Sequence, residues 1–350
     1  MINFIKEDDH GQMKIGHISE NSAIVNLIHL HNLHDSHKDL LKSAQEQLDH
    51  HKNTHLSSDD AEDRDEHGRM IAHAISNHIS SAYPGFNLKE IHHANYKSTA
   101  EITNGLHNDS RVDNPSDIIV KLQHPETGEE VYHGYSLKST NKKGGHIGFK
   151  NPTPKTMDVH LGTNRESLHK QALEELFSNY PYLRKLPNKA KDDGPSRKTE
   201  INNNSPIKDD VKRISQHHFS KIAKHTVDHL NQMLTTDEGH DRLKQHLKKY
   251  YMNSTSSMPY AKVTASGTKK SGMAVELEDT QNSNVTRLLN HPKSKMRVRH
   301  SGNYIKYDIH DPDTNTWHGV ANEQVKTSSG FGYSSPRHNI HPPDLQVPQN

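Results

Sequence analysis

Apolar positions along this chain fall into helical stripes and short β-like runs, separated by long polar stretches. Between residues 36 and 51, Leu40, Leu41 and Leu48 recur at helical spacing. A stronger stripe covers residues 64–82, where Met70, Ile71, Ala74, Ile75 and Ile79 share one face. Ser57 to Asp60 offer N-cap residues for that helix, acidic residues fill its first turns, and Pro84-Gly85 stops it. Residues 165–179 carry a second amphipathic stripe, and further helices are expected over 207–234 and 237–251, the latter capped at Thr235-Thr236-Asp237. The first apolar runs, Ile2 to Ile5 and Ala23 to Leu30, suit either strands or a short helix.

The β-like runs have a different rhythm. "SDIIVKL" and "VYHGYSLKS" flank the turn "PETGEE", where Gly128 supplies the backbone freedom, so residues 115–140 read as a hairpin. Four more segments follow late in the chain: "YAKVTASG", "GMAVELED", "KMRVRHSGNYIKYDIHD" and "WHGVANEQVKTSS". This order predicts an α+β (or α/β) fold, a mixed central sheet flanked by helices, followed by a helical and then β-rich C-terminal region. Residues 186–206 have linker composition, with Pro, Lys, Asp and Asn and almost nothing apolar. The expected organisation is therefore a first domain over 1–185, a linker over 186–206, and a C-terminal region over 207–350 with possible DNA-binding character.

Composition narrows the function. Hydrophobic residues are only 29% of 350, but they cluster periodically enough to fold. No run approaches the roughly 20 apolar residues of a membrane span, so no membrane partner is expected. The first residues turn acidic within seven positions, unlike a secretory signal, and a cytoplasmic setting fits. The absence of cysteine excludes disulfides, thiolate zinc sites and cysteine nucleophiles. Lys+Arg is 44 against 43 for Asp+Glu, so any DNA contact must come from a local patch. Histidine is the anomaly at 32 residues. His29, His31, His34 and His37 are close enough in sequence for metal ligation to be conceivable, but a chain-wide bias is the simpler account.

One feature of the hairpin has no structural rationale. Asp117 opens the first strand and Lys138 closes the second, and burying either charge unpaired would cost several kcal/mol. Alternation puts Gly134, Ser136 and Lys138 on one face, and Asp117 can approach Lys138 across the ladder. An aspartate there can hold Mg²⁺ (or Mn²⁺), which polarises a phosphate oxygen and lowers the pKa of a bound water, while the lysine offsets developing charge.

Pro115-Ser116-Asp117 and Ser136-Leu137-Lys138, 21 positions apart across a turn, resemble the two halves of the PD-(D/E)XK nuclease motif. The likeness covers about residues 62–182 and is compatible with a phage-encoded member. It implies a restriction-endonuclease-like fold, metal-dependent hydrolysis of DNA phosphodiesters, and catalytic roles for Asp117 and Lys138. A helix preceding the hairpin often supplies a further acid in that superfamily. Glu66 is the best match as second metal ligand with Asp117, and Glu62 and Asp65 are near alternatives. The departure is Ser136, which stands where the motif expects an acid. With one carboxylate fewer, the alternative is a catalytically inactive DNA-binding or virion protein that keeps the nuclease fold. Lys142, Lys143, Lys150 and Lys155 follow Lys138 in a glycine-containing loop suited to tracking a phosphate backbone. DNA is the expected partner, and a homodimer is left open.

Two other constellations are weaker. "DPDTN" (Asp311, Asp313, Asn315) lacks the glycine and closing glutamate of a calcium loop and reads as a tight turn. Asp308 with Lys326 is a second Asp…Lys pair on apparent neighbouring strands. Arg297, Arg299, His300, Lys306, Lys326 and Arg337 could instead give the C-terminal sheet a nucleic-acid surface.

Overall fold

The computed structural model describes residues 11–54, 58–94, 97–109, 114–141, 153–188, 196–249, 256–280, 283–327 and 330–341. The chain is α+β and divides into two compact units, Met1–Ile147 with Asn253–Ser283, and Gly148–Met252 with Asn284–Asn350. This differs from the expected organisation. Residues 186–206 do not separate the units but lie inside the second, where residues 197–203 are helical and Ile201 is buried.

The first unit runs α1 (Gly11–Leu30), α2 (Lys38–Thr54), α3 (Ser58–Ala82), β1 (Asn87–His93), α4 (Thr99–Ile102), β2 (Ile118–Gln123) and β3 (Glu130–Thr140). It then takes β4 (Tyr260–Thr268) and β5 (Gly272–Asp279) from much later in the chain. The sheet order is β1-β2-β3-β4-β5, antiparallel throughout except for the parallel β3–β4 pair. The hairpin forms as expected, with Ile118 opposite Tyr135 and Gln123 opposite Glu130. Ile118, Val120, Leu122, Tyr135, Leu137, Ala261, Val263 and Ala265 point to one side, where Ile24, Leu27 and Ile28 of α1 and Ile71 and Ile75 of α3 cover them. The early apolar run at Ala23 to Leu30 is therefore helical.

The second unit is built from α5 (Pro154–Leu161), α6 (Arg165–Asn179), α7 (Arg197–Asn203), α8 (Ser205–Met233), α9 (Asp237–Leu247) and α10 (Asn284–Asn290). Its sheet is antiparallel, in the order β6 (Met296–Ser301), β7 (Tyr304–Asp311), β8 (Thr316–Thr327) and β9 (Pro336–His341). Helix α6, expected on the hairpin's sheet, instead joins α8 in a core with Val298, Ile305, Tyr307, Ile309 and Val325. Asp311 to Asn315 form a tight turn, with Asn315 in the left-handed region at φ 56°. Among the described residues no helix is long and apolar enough to cross a membrane.

Candidate functional site

Strand pairing fixes the backbone of Asp117 before its side chain does anything. Its N–H donates to the Tyr135 carbonyl (2.8 Å), and its own carbonyl accepts from Ala94 N–H (2.9 Å). The residues ahead of it are pinned as well. Asn114 Oδ1 accepts from the Ser116 backbone N–H and hydroxyl, while its amide donates to the Met258 carbonyl (3.1 Å). Position 134 must be glycine for this packing, because a Cβ there would stand 2.0 Å from Ser116 Oγ.

The Asp117 carboxylate is buried, 8% exposed, and Oδ2 accepts the Leu137 N–H at 2.7 Å. Lys138 Nζ lies 3.7 Å from the same oxygen, so the pair expected from the sequence is brought together. The lysine is about one-third exposed and can reach a group outside. Burial pushes the Asp117 carboxyl above the ordinary aspartate range; the Glu20 charge adds to that push, and Lys138 and the Leu137 N–H oppose it.

Glu20 is the acid that sequence reasoning missed. It sits on α1 with its side chain 14% exposed, 3.5 Å from His17 Nδ1 and 3.6 Å from His93 Nε2. Burial works to raise its carboxyl, but hydrogen bonds from the two histidines prevail and bring it down to about 2. The sequence did carry a signal: Glu20 is the one acidic residue between Asp9 and Asp35, just ahead of the apolar run that starts at Ala23.

The three expected helix acids are engaged elsewhere. Glu66 pairs with Arg69 at 3.2 Å, Glu62 with Lys269 at 2.9 Å, and Asp65 with Lys52 at 2.8 Å and the Ser22 hydroxyl at 2.6 Å. The carboxylate whose charge acts on Asp117 is thus Glu20, and Glu66, expected in that place, is paired with Arg69 instead.

Ser136, in the slot where an acid was expected, is buried and stands in register with Lys262 of β4. Lys262 pairs in turn with Glu278 of β5. Burial lowers the Lys262 ammonium to about 8, with Glu278 opposing and Lys138 adding to the fall. Burial likewise raises the Glu278 carboxyl. The site face therefore carries a second lysine, legible only as an odd charge in "YAKVTASG".

Of the lysines assigned to DNA, Lys142, Lys143 and Lys150 lie outside the described residues, and Lys155 is exposed on α5 of the second unit. The alternative pair is not brought together. Asp308 lies opposite Gly319 and is held by Arg297 and Arg299, whereas Lys326 pairs with Arg337 toward the other end of β8. The early histidines are also dispersed: His29 meets His34 (2.6 Å), while His37 Nε2 accepts the Ile91 N–H (3.0 Å).

Among the described residues no group of three or more His, Asp or Glu is arranged to hold a metal. The donors at the hairpin fit a less demanding ion. Mg²⁺ is commonly held by one or two carboxylates, with waters and substrate phosphate completing its shell. Asp117 and Glu20 are two such carboxylates; the Glu20 charge adds to the rise of the Asp117 carboxyl, while His17 and His93 hold Glu20 itself ionised. No family model matches the chain, and no curated protein matches it in sequence.

Proposed function

We propose that the first unit is a metal-dependent DNA endonuclease of the restriction-endonuclease-like type, centred on Asp117, Lys138 and Glu20. The observation that carries this reading is the 3.7 Å approach of Lys138 to a buried Asp117, whose carboxyl is raised by burial and further by the Glu20 charge. A structural ion pair gains nothing from a second acid pressing on the first. A divalent-cation site does.

Asp117 and Glu20 would hold Mg²⁺ or Mn²⁺, which would supply phosphate polarisation and a more acidic water. The Leu137 N–H fixes the direction of the Asp117 carboxylate, so the ligand is oriented before anything binds. Lys138, free to extend outward, places its ammonium against a phosphate and offsets negative charge developing there. Ser136 contributes a small hydroxyl where a carboxylate would otherwise add a third anion. Lys262 beside it keeps the face from being purely acidic.

The test is supercoiled plasmid incubated with Mg²⁺, Mn²⁺ or EDTA, using wild type and Asp117→Asn. The amide retains an acceptor for the Leu137 N–H while removing the anion, so the fold is kept. Metal-dependent nicking by the wild type, lost in the variant, is the expected result. Cleavage with unchanged metal dependence in Asp117→Asn would place the chemistry elsewhere. A second reading, a DNA-binding or virion protein that keeps the fold without the chemistry, is favoured by Ser136 and by the lack of a three-ligand group among the described residues. Tight DNA binding with no nicking in any metal would select it.

A further inference from the structure

One side of the second unit's sheet packs on the unit's own helices. Met296, Val298, Ile305, Tyr307, Ile309 and Val325 face the helical core. The opposite side carries the alternate residues of the same strands, and their chemistry is uneven. Arg299 stands opposite Lys306, and Lys326 opposite Arg337. With Arg297 these make five cations, against Asp308 as the single acid on that side among the described strand residues.

Trp317 lies on the same side. It is the sole tryptophan of the chain and is 41% exposed. The Arg297 guanidinium lies 4.3 Å from its ring centroid, and the His310 ring is 5.2 Å away. Asp308, itself 5% exposed, accepts from Arg299 Nε at 2.7 Å and from Arg297 Nε at 3.1 Å, so both guanidiniums are set rigidly on the sheet. Packed by Arg297 and His310, the indole still keeps 41% of its surface exposed beside fixed cations.

We propose that this face binds single-stranded nucleic acid, with a base stacked on Trp317 and the phosphate backbone tracked by Arg299, Lys306 and Lys326. Bases stack on an exposed aromatic whatever their sequence, and cations spaced along strands neutralise phosphates. Duplex DNA offers no unstacked base to Trp317, so the chemistry favours single strands. The inference concerns the second unit alone and holds whether or not the first unit cleaves DNA.

The lone tryptophan makes the test site-specific. Full-length protein is titrated with fluorescein-labelled (dT)15 and (U)15 at low salt, following anisotropy of the label and emission of Trp317 together. The expected result is a Trp317 quench that saturates with the anisotropy, from one or both oligomers. Trp317→Ala should weaken binding about tenfold or more, and Trp317→Phe should recover most of the loss. Lys306→Gln with Lys326→Gln leaves the Arg297–Asp308–Arg299 cluster intact and should lower the slope of log affinity against log salt by about 1.4. Anisotropy that saturates while Trp317 emission stays constant would overturn the proposal, as would absence of binding to either oligomer. An equal quench by heparin or by duplex DNA would also overturn it, because neither presents an unstacked base.

Discussion

Two buried carboxylates, one in each unit, are treated in opposite ways by their surroundings. Glu323 of β8 is fully buried and accepts from Arg165 (2.7 Å), from the Tyr307 hydroxyl (2.5 Å) and from His338. Burial alone would raise its carboxyl, yet Arg165 and His338 hold it far below the ordinary glutamate range. Burial pushes the Asp117 carboxyl up and the Glu20 charge adds to it, because one partly exposed lysine at 3.7 Å, one amide and the His93 charge do not offset them. A satisfied buried acid is a structural knot. An acid left short of positive charge is, on the reading proposed above, a place for a cation that arrives from outside.

The contrast can be broken at its strong end first. Removing one partner of a buried, bonded pair leaves an uncompensated charge, so Arg165→Met should destabilise the second unit by about 3–5 kcal/mol. Denaturant unfolding followed by circular dichroism would show it. Asp117→Asn should leave unfolding nearly unchanged and lower plasmid nicking more than about 100-fold. A large stability loss there, with nicking intact, would make Asp117 another Glu323.

Acid separates the two sites by sign. Glu323 titrates lower in the folded chain than in the unfolded one, so its contribution is complete above the ordinary value of 4.5 and drains away as pH falls below it. Asp117 titrates higher when folded than the ordinary 3.8, so its part of the stability is lost as pH rises through the folded value. Comparing thermal unfolding between pH 6 and pH 3 for wild type, Glu323→Gln and Asp117→Asn should give slopes displaced in opposite directions.

Lys262 sharpens the picture at the alkaline end. Its ammonium is brought down to about 8 from 10.5, so between those values the unfolded chain holds a proton that the folded chain has released. Stability should rise through that window by up to about 1.4 kcal/mol per pH unit, and Lys262→Met should flatten the rise. The smallest effect is expected from Ser136→Glu. The new carboxylate would meet Lys262 across the parallel pair, and Mg²⁺ affinity, read by isothermal calorimetry, should tighten about tenfold. No tightening would mean that the acidic pair does not receive the ion.

Much of this was legible before any coordinates. The period-two runs from Tyr260 onward became β4 to β8, and the stripe through Met70, Ile75 and Ile79 became α3, because local periodicity reports which face is buried. The Asp117–Lys138 pair followed from alternation and a tight turn. What could not be read was long-range. Glu66 and Glu20 are both carboxylates on helices before the hairpin; Arg69, three residues on in the same helix, takes the first, and only tertiary packing decides that Asp117 feels the second. The false linker arose similarly: residues 186–206 are polar enough for a connection, yet Ile201 and Arg197, whose guanidinium donates to the Leu183 and Leu186 carbonyls, tie them into the second unit. Composition detects exposure, and it is blind to which neighbours a short segment will find.

The parallel pairing of β3 with β4 has a consequence for how the chain is made. Synthesis delivers β3 long before β4, with most of the second unit's helices emerging in between. Until Tyr260 to Thr268 leave the ribosome, β3 presents a bare strand edge holding Ser136 and Lys138, open to any other extended chain. Closing that gap spans more than a hundred residues, which makes the β3–β4 contact slow and late relative to the local β2–β3 hairpin. A cut anywhere between residues 148 and 252 would separate β3 from its neighbour, so neither fragment could assemble the acidic pair on a complete sheet.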